Sequence, residues 1–154
     1  MNRLRSTLAL VFATMACGEA TTPLDPQTYV GQYTLTTVNG LTAPQTVATS
    51  PQGCSATFRY GSLTLANDVF ALDLFGVWGA CPGVYAVLGN RTIGGGLEGD
   101  QRTLLLRAVD PTSPSGTVMR FEGRSSGSEV ELSFPPGAMK LADTTTLGFR
   151  RTVP

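Results

Sequence analysis

The sequence predicts an all-β fold: a single antiparallel meander closing into a barrel of roughly eight to ten short strands, with a β-sandwich as the alternative. Three observations carry this expectation. Short runs rich in β-branched and aromatic residues recur between clusters of Gly, Pro, Asn and Asp. The last three runs alternate: Thr117, Met119 and Phe121 oppose Val118, Arg120 and Glu122; Val130, Leu132 and Phe134 oppose Glu129, Glu131 and Ser133; Leu147 and Phe149 oppose Thr146, Gly148 and Arg150. A period of two places apolar side chains on one face and polar ones on the other, as a sheet with one wet face requires. No segment repeats apolar residues at helical spacing over three turns.

The strands are expected in the following order. Val30 to Val38 opens the domain and stops at Asn39-Gly40, a pair whose tolerance of positive φ suits a tight hairpin turn. A short strand over Gln45 to Thr49 follows Pro44. Ser55 to Tyr60 and Ser62 to Ala66 are two strands, or one interrupted at Gly61 by a bulge or bend. Asn67-Asp68 turns into Val69 to Phe75, where Phe70, Leu72 and Leu74 share a face. Gly83 to Leu88, Ile93 to Leu97 and Arg102 to Val109 come next, with Asn90-Arg91-Thr92 read as a turn. Only Pro136 to Ala142 suggests a helical turn.

Composition narrows the function. Charged residues make up 14% of the 154, well below the usual share of about 25%, and they form no basic patch. Phosphate binding needs clustered Lys and Arg, so nucleic acid is not an expected partner. The chain contains no histidine, which excludes a His-based triad, a His general base and most zinc sites. No metal and no cofactor are expected.

The amino terminus reads as an address. Arg3 and Arg5 precede the apolar stretch Leu8 to Ala16, which is too short to span a bilayer, and Cys17 and a polar, Pro-containing segment follow. Residues 1–16 are expected to be a signal peptide, 17–28 a tether and 29–154 the β-domain. The Ala16-Cys17 junction resembles a bacterial lipobox, although Thr14 and Met15 stand where that family has Leu and Ala or Ser. The resemblance implies acylation of Cys17 and a membrane partner. Gly18 in place of Asp resembles lipoproteins sorted to the outer membrane, so the implied location is the bacterial cell envelope. Thr14 and Ala16 also suit a conventional signal peptidase, whose cut would leave Cys17 a free thiol.

With Cys17 assigned to lipid, Cys54 and Cys81 remain as an even pair. In an oxidising compartment they are expected to form a disulfide, contributing about 3 kcal/mol on the chain-entropy model. They lack the C-x-x-C spacing of redox-active pairs.

Gly31-Gln32-Tyr33 at the head of the first strand, with Val38-Asn39-Gly40 at its close, resembles the G-x-aromatic start of lipocalin-like barrels, with Tyr33 in place of the family's tryptophan. The glycine-rich meander ending in Leu147 to Arg150 extends the likeness over most of the mature chain. It implies a lipocalin-like barrel. The immunoglobulin-type sandwich has a longer interval between its cysteines than the one here.

Other motifs read as structural. Ile93-Gly94-Gly95-Gly96-Leu97 lacks the helix and Lys-Ser/Thr of a phosphate loop and is expected to be a hairpin or bulged strand. Asn90-Arg91-Thr92 matches a glycosylation triplet that is idle in a bacterial lipoprotein. Asp73 could face a cavity, face solvent or pair with Arg59 or Arg107. Glu98 and Asp100 lack the ligand density of a calcium loop. The large aromatics are Tyr33, Phe58, Tyr60, Phe70, Phe75, Trp78, Tyr85 and Phe121; they either line a calyx or fill a closed core. The candidate ligand contacts are Tyr33, Phe58, Phe70, Trp78, Tyr85 and Phe121, with Trp78, set between Gly76 and Gly79 near Cys81, foremost. The expected function is that of an exported, membrane-anchored, non-catalytic module for a small hydrophobic ligand, with an apolar cavity of at least about 300 Å³ inside the barrel, lined by several of those aromatics. The alternative is a structural or assembly protein of the cell envelope acting through protein contacts. An enzyme using acidic residues alone ranks last.

Overall fold

The computed structural model describes residues 29–50, 53–99 and 102–152. The expected signal peptide, Cys17, the tether and Asp100 lie outside the described residues. The strands are β1 (Gly31–Val38), β2 (Leu41–Thr42), β3 (Gln45–Thr49), β4 (Cys54–Leu65), β5 (Val69–Ala80), β6 (Val87–Gly99), β7 (Thr103–Val109), β8 (Val118–Ser125), β9 (Glu129–Phe134) and β10 (Thr145–Arg151).

From β4 to β10 each strand pairs antiparallel with the next, and β10 returns to β1. The ring closes where Gly31–Thr34 of β1 pair with Leu65–Ser62 of β4. Eight strands therefore form a closed antiparallel barrel, and closure sets the β-sandwich aside. β2 and β3 are additional. At the end of the barrel away from Gly31, β2 pairs with the close of β1 and β3 with the start of β4, so the wall is broader there. We call the end at Gly31 the entry end and the opposite one the far end.

Several local features follow directly from residue chemistry. Asn39 and Gly40 both have positive φ, 51° and 75°, which turns β1 tightly into β2. β4 is one strand, and its register slips between Phe58 and Tyr60 rather than at Gly61. β6 runs unbroken through Asn90-Arg91-Thr92 and the three glycines, so neither the turn nor the hairpin expected there forms. Gly95 explains part of this: a Cβ on it would stand 1.9 Å from the Arg107 carbonyl oxygen, so only glycine permits that close strand approach. The helical turn expected after Pro136 is a 3-10 turn over Ala138–Lys140.

The barrel interior is filled. Inward residues of every barrel strand are buried, among them Leu35, Leu63, Leu72, Leu74, Ile93, Leu104, Leu106, Leu132 and Leu147. Phe121 stacks on Phe134 with centroids 4.4 Å apart and meets Phe70 edge-on at 5.6 Å. An eight-stranded barrel is just wide enough for its side chains to meet across the axis. At the entry end the Tyr33 hydroxyl donates to the Tyr29 carbonyl at 2.7 Å. The Arg151 guanidinium lies 5.7 Å from the Tyr33 ring centroid and donates to the Val30 carbonyl. At the far end Lys140–Ala142 pair with β3: Ser50 N–H donates to Lys140, and Ala142 N–H to Ala48. This brings Ala138, Met139 and Leu141 down onto the core, where they are buried.

Candidate functional site

An open cleft of about 660 Å³ lies at the far end, outside the filled interior. It exists because β6 overruns β7. β6 pairs with β7 only over Gly95–Gly99, whereas its first half, Val87 to Gly94, continues along β5. β7 stops at Val109, and the chain turns away through Pro111 and Thr112. The cleft opens between that overhanging strand, the Pro111-Thr112 loop and Met139-Lys140.

Trp78, from the inward face of β5, forms its floor and is 5% exposed. The indole Nε1–H donates to the Gly89 carbonyl at 2.9 Å, and the ring meets Phe58 edge-on at 5.3 Å. Arg91 projects from β6 with its guanidinium carbon 4.6 Å from the Trp78 ring centroid, within the range of a cation–π contact. Burial holds the Arg91 pKa below the ordinary arginine range, an effect that the charge of Asp110 opposes. Removing a guanidinium from water disfavours its charged form, which accounts for the direction.

Asp110 fixes the opposite wall. It is buried and accepts from Thr112 N–H at 2.7 Å, Thr112 Oγ1 at 2.6 Å and Met139 N–H at 3.1 Å. These bonds tie the loop after β7 to the 3-10 turn, where Met139 and Lys140 hold left-handed backbone at φ 51° and 62°. Non-glycine residues enter that region at a cost, and the Asp110 carboxylate offsets part of it at Met139. On the other side, Cys54 and Cys81 form the expected disulfide, tying the start of β4 to the tight Cys81–Val84 turn. Beyond that turn Val84, Tyr85 and Val87 form an exposed apolar rim, Tyr85 at 98% exposure.

The six candidate ligand contacts thus divide. Trp78 and Tyr85 meet at the cleft. Tyr33, Phe58, Phe70 and Phe121 point into the filled interior at 0–4% exposure, so the aromatic-lined interior cavity expected for a ligand gives way to a packed core, and these four to a packing role. Phe58 still touches the site indirectly, by bracing Trp78. Asp73 faces outward and accepts from Thr92 Oγ1, and Glu98 pairs with Arg107 at 3.2 Å. Tyr60 and Phe75 stack on one another on the outer wall, centroids 4.5 Å apart. Sequence reasoning missed Arg91, Asp110, Met139 and Lys140. Arg91 did carry a signal: it shares strand parity with buried Ile93 and Leu97, so a continuous strand places a cation on the inward face.

Among the described residues no group of three His, Cys, Asp or Glu side chains gathers as a metal site, and no helix is long and apolar enough to cross a membrane. The chain matches no protein-family model, no curated protein and no solved structure.

Proposed function

We propose that this protein is an exported, lipid-anchored binding module of the bacterial cell envelope, without catalysis, that holds a small hydrophobic ligand in the far-end cleft. The observation that carries the reading is the cleft itself: about 660 Å³, floored by Trp78 and rimmed by Val84, Tyr85 and Val87. Binding sites for small molecules are concave, of this size, and combine apolar surface with a few polar groups; here Trp78, Tyr85 and two valines stand beside Arg91, Lys140 and several hydroxyls. An exposed tyrosine beside two exposed valines gains by being covered, at about 25 cal/mol per Å² of apolar surface.

The address rests on the amino-terminal residues: the Arg-containing start, the apolar stretch to Ala16 and Cys17 at the junction. The Cys54–Cys81 disulfide supports an oxidising compartment. Because β1 begins at the entry end, a chain anchored through Cys17 presents its cleft on the end opposite the one where the tether joins the barrel.

A naphthalene probe tests the reading. Titration of the full chain carrying C17S, which removes the acylation site, with 1-anilinonaphthalene-8-sulfonate is expected to quench Trp78 emission saturably at one probe per chain. Trp78 is the sole tryptophan, so the signal reports the cleft. Absence of saturable quenching overturns the small-ligand reading. A second reading rests on the near-complete exposure of Tyr85 with Val84 and Val87 beside it: this rim is the surface an envelope protein partner would cover, since exposed apolar patches mark interaction sites.

A further inference from the structure

The charges around the cleft add the chemical class of the ligand. Arg91 and Lys140 both line it, and no Asp or Glu does, although the chain as a whole carries equal numbers of acids and bases. The one nearby carboxylate, Asp110, is held by Thr112 and Met139 and acts on Arg91 through its charge, without a direct hydrogen bond. The Arg91 guanidinium lies over the face of Trp78, its carbon 4.6 Å from the ring centroid. Among the described residues no hydrogen bond or ion pair engages the guanidinium N–H groups. Resting on the proposed binding role, we propose that the cleft selects an amphipathic monoanion, with a carboxylate or similar head on Arg91 and an apolar body against Trp78 and the Val84–Tyr85–Val87 rim.

The physical case has three parts. A guanidinium offers planar, forked donors that match a carboxylate in geometry. Arg91 is half-buried, and an ion pair strengthens as the local dielectric falls below that of water. Trp78 acts as a positioning residue: its ring packs against the Arg91 guanidinium, so less side-chain freedom is lost when the anion arrives. Lys140 stands on the other side of the cleft on a backbone set by the Asp110–Met139 bond, and it raises the local positive potential without a fixed donor geometry.

A matched pair of probes decides the matter. N-phenyl-1-naphthylamine has the same apolar body as 1-anilinonaphthalene-8-sulfonate but no charge. In the full chain carrying C17S, the sulfonate is expected to bind at least about tenfold more tightly than the neutral probe, with an affinity that falls as salt rises. Decanoate, used as monomer, is expected to displace it, and 1-decanol is not. R91Q is expected to remove the sulfonate's advantage over the neutral probe, and an unchanged circular-dichroism spectrum and urea midpoint show the fold intact. K140Q should lower sulfonate affinity by about two- to threefold. Equal affinity of the two probes for the unsubstituted cleft overturns the anion inference and leaves the binding role standing. An advantage that survives R91Q overturns the assignment of Arg91. Failure of both probes to bind overturns the binding role and the inference together.

Discussion

Phe121→Ala is expected to lower the free energy of unfolding by about 3–5 kcal/mol, the usual cost of emptying an aromatic site in a packed core. Phe121 is 2% exposed and lies between Phe134, stacked at 4.4 Å, and Phe70, edge-on at 5.6 Å. Its removal forfeits the transfer energy of the ring, two aromatic contacts worth about 0.5–1.5 kcal/mol each, and the dispersion lost around the void. A closed barrel cannot collapse to fill that void without breaking strand pairing, which places the cost toward the top of the range. Urea unfolding followed by circular dichroism measures it: the midpoint should fall while the slope stays constant. A loss under about 1 kcal/mol would mean that the interior is loose or hollow at this layer.

The second large effect belongs to the disulfide. Cys54 and Cys81 are 27 residues apart in sequence. A loop of that length restricts the unfolded chain by about 3.5 kcal/mol on the entropy model. The C54S/C81S double variant is expected to lose about that much stability, and a reductant should do the same to the unsubstituted chain. Both changes should also weaken probe binding, because the bond tethers the β5–β6 turn that carries Val84 and Tyr85 beside the cleft. Full reduction, confirmed by thiol labelling, with no shift in the urea midpoint would remove the bond from the account of stability.

Much of the barrel could be read from residue order. Asn39-Gly40 marks its turn because the backbone there needs positive φ twice, and Val130, Leu132 and Phe134 point inward because strand side chains alternate. Cys54 and Cys81 pair as the count of cysteines suggests. β6 was the hardest element to read. Its Asn-Arg-Thr and Gly-Gly-Gly segments carry turn chemistry, and only pairing with β5 over Val87–Gly96, and with β7 over Gly95–Gly99, makes them strand. Tertiary pairing overrides local preference most easily in residues with little β-propensity of their own.

The cleft was illegible for a related reason. It depends on β6 outlasting β7 and on Asp110 reaching Met139 across 29 positions, two long-range facts that no local spacing records. The aromatics show the same limit. Phe58 and Trp78 lie on inward faces of neighbouring strands and touch each other, yet Trp78 also lines the opening while Phe58 is sealed behind it. Position relative to the barrel's ends, not residue type, separates a floor from a filling.

Ligand is proposed to sit at the open far end of the barrel and not inside it. Two-dimensional NMR of the isotope-labelled chain, titrated with decanoate, tests it most directly. Shifts are expected at the Trp78 Nε1–H, the amides from Gly89 to Thr92, and those of Met139 and Lys140. Shifts centred instead on interior residues such as Leu63, Leu106 and Leu132 would contradict it, and so would a spectrum that does not change.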